Sequence, residues 1–309
     1  MPVSYVLAVL AGAANAASNV LQRKAGKEEP PELSMRPRLL VELARRPVWL
    51  AGFGLVIVSF ALMTAALDTG RLAAVQPILI LELPLTLVLA AWIFESPMRA
   101  REWSAAAAMT CGLAGLIACL APSGGDSRAS GWEWGVATAI SLVAVAGCVL
   151  GSYTGGAARK PVLLGIGAGI AFGLTGAFMK AMTESFHDGI VGVLTTWQSY
   201  ALAVCGVGAM YLMQNALHAG RLIAAQPGLT LADPAVAIMW GASVFHEHLR
   251  GGVWLAGGVI SAGLLAWGVF MLARSPLLEG VAATDEHRAR ERAKTTDRRV
   301  RAHPSSPYG

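Results

Sequence analysis

The chain has 309 residues, of which 55% are hydrophobic and 14% charged, and its formal net charge is +5. So apolar a composition excludes an ordinary water-soluble globular protein and predicts an all-α polytopic chain folding mostly in lipid. The positive balance is not a nucleic-acid-binding face, because 15 of the 24 lysines and arginines sit in two hydrophilic stretches, Arg23 to Arg46 and Arg274 to Arg301.

A hydrocarbon core about 30 Å thick needs roughly 20 apolar residues per helix. Nine segments meet that length, at about 3–21, 48–67, 71–94, 103–121, 134–153, 161–182, 189–216, 222–245 and 252–273. The first is expected to be a retained helix rather than a secretory signal, because Arg23, Lys24 and Lys27 follow the apolar run instead of preceding it. Breaker residues fill the connectors: Pro30, Pro31 and Pro37 after the first span, Pro122 to Gly125 before the fifth, Gly155 and Gly156 before the sixth. Residues 274–309 are polar and charged, which predicts a disordered cytoplasmic tail. Cys111, Cys119, Cys148 and Cys205 all fall in apolar segments without zinc-site or disulfide spacing, and read as small buried residues.

Nine spans place alternate connectors on opposite sides, and cytoplasmic connectors should be rich in lysine and arginine. Connectors after odd-numbered spans hold 20 basic residues and those after even-numbered spans hold 4, namely Arg71, Arg128, Lys180 and Arg250. The asymmetry predicts an outside N-terminus and a cytoplasmic C-terminus. Alanine, glycine and arginine richness points to a bacterial host and hence to a plasma membrane.

Residues 66–84 align without gaps on 216–234, with 11 of 19 positions identical in the pattern A-L-x-x-G-R-L-x-A-x-Q-P-x-L-x-L-x-x-P. The match resumes with Phe94 on Phe245, Arg99 on Arg250, Trp103 on Trp254 and Gly112 on Gly263, and the first helix resembles the sixth, with Lys24 on Lys180. The expected organisation is therefore a first four-span repeat at 1–122, a linking span at 123–160, and a second four-span repeat at 161–273. A single linking span inverts the second unit relative to the first, a plan that recurs in transporters with discontinuous helices at the midplane.

Pro77, Pro84, Pro227 and Pro234 lack an N–H, which frees the carbonyls of Ala73, Ile80, Ile223 and Thr230. In lipid such groups persist only against protein, water or ligand. Spans three and eight are accordingly expected to be broken, cavity-lining helices.

Intramembrane acids are costly and mark pathways. Glu82 and Asp233 lie near the centres of their spans beside Pro84 and Pro234, and are candidate substrate, cation or proton sites; Asp233 could instead cap the following half-helix. Gln76 and Gln226 either gate opposite ends of a path or satisfy carbonyls freed by the kinks. Asn15, Ser18 and Asn19 share a face of span one, and Thr195, Gln198 and Ser199 a face of span seven. Polar residues also tie helices together, so lining a cavity is one of two roles for these groups. His246, Glu247 and His248 lack the spacing that puts two histidine ligands on one helix face, so solvation at the interface is expected and no metal site is assigned. Arg71 and Arg221 begin helices and read as interface anchors.

The A-L-x-x-G signature (Ala66, Leu67, Gly70; Ala216, Leu217, Gly220), the proline-bearing helix after it, the acidic exits Glu95 and Glu247 and the Gly-rich last helix resemble the drug/metabolite transporter superfamily of EamA type. More distantly they resemble the NIPA-like magnesium transporters, with a tryptophan-bearing second helix as at Trp49. The resemblance covers about residues 3–273 and implies inverted repeats around a central cavity working by alternating access. The family plan has ten spans as five plus five, whereas four, one and four are counted here.

The expected function is secondary transport of a small solute, a metabolite, amino acid or drug, coupled to a proton or cation. The alternatives are a divalent-cation transporter of the magnesium type and a non-transporting membrane assembly partner. Neither a phosphate-binding Gly loop nor a nucleophile elbow is present, so no enzyme activity, cofactor or nucleic-acid partner is expected.

Overall fold

A computed structural model describes residues 2–27, 46–93, 98–125, 130–154, 159–219 and 222–274. Most of the first connector, Glu95, Arg221 and the tail beyond Arg274 lie outside them. The described chain is almost entirely helical. It runs α1 (Pro2–Lys27), α2 (Pro47–Thr69), α3 (Leu72–Ile78), a 3-10 turn (Leu79–Leu81), α4 (Glu82–Ile93) and α5 (Ala100–Leu120). Then come β1 (Ser123–Gly124), α6 (Gly131–Thr154), α7 (Arg159–Glu184), a second 3-10 turn (Ser185–Asp188), α8 (Gly189–Thr195), α9 (Trp197–Ala219), α10 (Leu222–Ser243), β2 (Glu247–His248) and α11 (Val253–Ala273).

Eight segments among the described residues are long and apolar enough to cross a membrane, α3 to α4 counting as one. The molecule is an all-α polytopic membrane protein in architecture. Its outer surface fits that solvent: Val143 on α6, Val204 on α9 and Val259 on α11 are more than 70% exposed, an arrangement that water would disfavour by about 25 cal/mol per Å². The expected eighth span, 222–245, is a 22-residue helix, α10, which is not among the eight segments found within the described residues.

Two expectations about broken helices resolve differently. Span three is interrupted: Pro77 ends the α-helical turn pattern, a 3-10 turn carries Leu79–Leu81, and α4 restarts at Glu82. Span eight continues as one helix through both Pro227 and Pro234. Span seven, expected over 189–216, instead begins at Trp197. A separate short helix precedes it, entered at Gly189 with φ +72° and left at Thr196, whose hydroxyl bonds the Gly192 carbonyl and the Ser185 hydroxyl, both at 2.8 Å.

Helix α1 packs along α2, and α7 packs along both α9 and α10; α5 pairs with α11, and α3 lies against α10. The α7–α10 contact is a backbone-to-backbone rail. A Cβ at Gly169 would come within 2.5 Å of the Leu229 carbonyl oxygen, and one at Gly173 within 2.7 Å of that of Asp233, so only glycine lets these helices approach so closely. The α5–α11 seam is built alike, Gly112 and Gly268 facing the backbone of Leu265 and of Ala105. At one end of the bundle Trp134, Phe178, Trp197, Trp240 and Phe245 form a continuous aromatic cluster, with Trp134 stacked on Phe178 at 5.6 Å. Above it β1 and β2 pair antiparallel, Ser123 opposite His248.

Candidate functional site

The break in span three delivers Glu82 to the first turn of α4, where it meets α1. Asn15 and Asn19, one helical turn apart, each donate an amide N–H to one carboxylate oxygen: Asn15 Nδ2 to Oε2 at 2.7 Å and Asn19 Nδ2 to Oε1 at 2.8 Å. Both lengths are within the ordinary range for N–H···O hydrogen bonds. Asn15 and Glu82 are partly buried and Asn19 is exposed, and the two amides hold the carboxyl group in place. Neutral amides orient the acid without cancelling its charge, and among the described residues no lysine or arginine hydrogen-bonds to it.

The second acid is held across the two halves of the sequence. Gln76 on α3 donates its Nε2 hydrogen to Asp233 Oδ1 on α10 at 3.1 Å, over a separation of 157 residues. Gln76 is 6% exposed and its amide packs face-on against Gly176 of α7, where a Cβ would clash at 2.8 Å. Its Oε1 accepts no hydrogen bond among the described residues. The amide is thus tied to Asp233 rather than to a carbonyl freed by Pro77, and Asp233 accepts a side-chain hydrogen bond rather than serving only as a cap. Gln226 stays local, donating to Thr230 Oγ1 at 3.3 Å. No hydrogen bond among the described residues joins Gln198 to either acid. Of the residues singled out from the sequence, the structure therefore assembles two groups, Asn15–Asn19–Glu82 and Gln76–Asp233. Pro77 and Pro84 flank the first, and Pro234 directly follows the acid of the second.

Glu247 corrects the expectation of interfacial solvation for the His-Glu-His run. It is 4% exposed and caps α3, accepting the backbone N–H of Leu72 at 2.6 Å and of Ala73 at 2.9 Å, two of the donors that a helix start leaves without partners. Burial pushes its carboxyl above the ordinary glutamate range; the two N–H groups and the charges of Lys180 and Arg71 oppose that rise. His246 turns the other way, half exposed, and its Nε2 lies 3.2 Å from Glu133 Oε1. Among the described residues no cluster of His, Cys, Asp and Glu could hold a metal ion.

Lys180, counted among the connector charges, is another correction. It lies inside α7, 7% exposed, and its Nζ donates to the carbonyls of Leu67 at 2.7 Å and Gly70 at 2.8 Å at the end of α2. Glu247 and Lys180 thus converge from opposite directions on the junction between α2 and α3. The junction itself depends on Gly70, where a Cβ would meet Ser4, Ala66 and Val75 within 2.7 Å. A usable signal was present in the sequence: Lys180 and Glu247 lie in segments that carry the repeat.

An uncharacterized protein of Corynebacterium glutamicum is 28% identical to this chain over 263 residues, covering 83% of this chain and 91% of the relative. No protein-family model matches the sequence, and no solved structure matches the chain.

Proposed function

We propose that this chain is a secondary transporter that moves a small solute across a bacterial plasma membrane by alternating access, with Glu82 as its principal cation- or proton-binding group. The observation that carries this reading is a carboxyl group inside a membrane helix, at a helix break, fixed by two neutral amides with no base among the described residues bonded to it. A structural acid in lipid is normally neutralised by a base or buried under backbone donors, as Glu247 is; among the described residues Glu82 has neither.

The solute or its coupling ion is positively charged. Glu82 and Asp233 contribute acids to the helical core, their hydrogen-bond partners are neutral amides, and the buried base Lys180 is engaged by carbonyl oxygens at one end. Nine spans arranged as inverted four-helix units, α10 being the eighth span, fit this reading. In support, α1 packs on α2 as α7 packs on α9, and the fourth helices of the two units, α5 and α11, pair with each other. The charge asymmetry of the connectors places the N-terminus outside and the C-terminus in the cytoplasm. The Corynebacterium relative matches over 83% of this chain but brings no activity with it.

A divalent cation is the second reading, favoured by the acid-and-amide composition of both groups, since hard cations take oxygen ligands. Reconstitution separates the two. Proteoliposomes are tested for proton-coupled uptake of an amine and amino-acid panel and, with an entrapped indicator, for magnesium entry. Flux of an organic solute that is lost in Glu82→Gln supports the proposal. Magnesium entry alone supports the second reading, and absence of any flux with correctly folded protein supports a non-transporting assembly partner.

A further inference from the structure

The Gln76 amide has one arm in use and one without a partner. Its Nε2 donates to Asp233 Oδ1 at 3.1 Å, while Oε1 is buried and accepts no hydrogen bond among the described residues. The amide has little room to turn. A Cβ at Gly176 would stand 2.8 Å from its Cδ, Nε2 and Oε1 alike, so the group lies flat against α7. A buried carbonyl oxygen without a donor is costly. A carboxylate whose one side-chain donor is a neutral amide is costlier still in a core enclosed by lipid. The two deficits sit at the two sides of a single contact.

We propose that Asp233 holds a proton and donates it from Oδ2 to Gln76 Oε1, so that acid and amide close into a two-bond ring joining α3 to α10, a proton-binding site separate from Glu82. A neutral carboxylic acid and a primary amide each offer a donor and an acceptor side by side, and set edge to edge they satisfy one another. With the proton in place, neither residue has an orphan at the contact. When the proton leaves to water, the carboxylate keeps the Nε2 bond alone and Oε1 loses its donor. The repeat shows that the pair is more than inherited packing. In the alignment of 66–84 on 216–234 its mate would be Gln226 with Leu83, and leucine holds no proton; Gln226 bonds Thr230 instead. At this register the acid stands in one half alone.

Among the described residues no base pairs with Asp233. Of the elements packed on α10, α3 and α11 carry no titratable side chain. On α7, Lys180 donates to the Leu67 and Gly70 carbonyls, and Arg159, Lys160 and Glu184 stand at the ends of the helix. Glu247 of β2 caps α3. On α6, Glu133 is bonded to Ser130, with Cys148 and Tyr153 farther along. Helix α9 carries Tyr200, whose hydroxyl donates to the Leu194 carbonyl, and Cys205, Tyr211 and His218 along its length. A proton is therefore the simplest cation to answer this acid.

As the seat of a coupling proton the site rests on the transport reading, but the proton itself is detected without any solute. The full chain in lipid is compared at neutral pH by infrared difference spectroscopy, wild type against Asp233→Asn and against Glu82→Gln. The carbonyl stretch of a protonated carboxyl is expected in wild type, shifted by heavy water, retained in Glu82→Gln and lost in Asp233→Asn. Gln76→Leu, folded by melting profile, should move the band to higher frequency, because the acid loses both of its partners. A neutral-pH spectrum in which Asp233→Asn removes no such band overturns the proposal, as does a band that Gln76→Leu leaves in place. Melting gives an independent reading, since Asp233→Asn copies the neutral acid: its amide can donate to Oε1 and accept from Nε2. The proton's contribution is complete in acid and lost as pH rises through the ionisation of Asp233. The difference in melting temperature should thus move against wild type with rising pH, and a constant difference contradicts the ring. Absence of flux with the band present removes the transporter and leaves the proton site; flux without the band does the reverse.

Discussion

Glu82 and Glu247 are both glutamates enclosed by helices, and they differ in the chemistry of the groups that hold them. Glu247 is 4% exposed, lies against two backbone N–H groups at a helix start, and shares its surroundings with Lys180 and Arg71. Its removal would leave the backbone N–H groups of Leu72 and Ala73 without their acceptor. Glu82 is less buried, and its only hydrogen-bond partners among the described residues are the side-chain amides of Asn15 and Asn19. Those amides fix its position without bringing an opposite charge to it. The chemistry of the partners, more than the degree of burial, distinguishes the two sites.

Substitutions sharpen that contrast, and the largest effect expected is on flux. Glu82→Gln, isosteric and able to keep one amide contact, should reduce solute or cation uptake in proteoliposomes to the level of empty vesicles while changing the melting temperature little. A variant that melts far earlier than the parent would show that Glu82 is structural after all.

Glu247→Ala should do the reverse. Breaking a buried charge arrangement by removing one partner costs about 3–5 kcal/mol, so a melting temperature lowered by several degrees in detergent is expected. An unshifted melt would mean the cap contributes nothing. Next in size is Gly169→Val in the α7–α10 rail, where overpacking costs about 1–3 kcal/mol. Both melting temperature and flux should fall together there, because α10 carries Asp233. Asn15→Ala removes one hydrogen bond to Glu82 and should weaken the apparent affinity for the cation by about tenfold, read as a raised KM, with stability nearly unchanged.

The smallest effect is on pH dependence. Burial raises the Glu247 pKa above its unfolded value, so its contribution to stability is complete below the ordinary glutamate pKa and is lost as pH rises through the raised one. The difference in melting temperature between wild type and Glu247→Gln should therefore move against wild type on going from acid toward neutral pH. A flat difference would show that the N–H groups, Lys180 and Arg71 fully offset the burial.

Much of this was legible in the residues. Among the described residues eight of the nine apolar runs emerge as helices able to cross a membrane, because length and hydropathy are local properties. The Asn15–Asn19–Glu82 group was half visible: a spacing of four puts the two asparagines on one face, and an acid within an apolar run stands out. What joins α1 to α4 is tertiary packing, which no local pattern carries. The Gln76–Asp233 bond spans the two halves and was hidden for the same reason. Glu247 and Lys180 were misread because a charge near a helix end is normally solvated. Here the ends themselves are buried, and the unsatisfied main-chain groups at the α2–α3 junction draw both side chains inward. The break at Thr196 rests on a threonine–serine hydroxyl contact and a left-handed glycine, neither of which interrupts the apolar run.

The central claim is that Glu82 carries a positively charged cargo or its coupling ion. The most direct measurement is the transient current that wild type, Glu82→Gln and Glu247→Gln give in proteoliposomes on a solid-supported membrane when a panel of amines, amino acids and cations is rapidly applied. The account predicts inward positive charge movement for wild type with at least one solute, no current for Glu82→Gln, and a retained current for Glu247→Gln. A current of undiminished size in Glu82→Gln would contradict it.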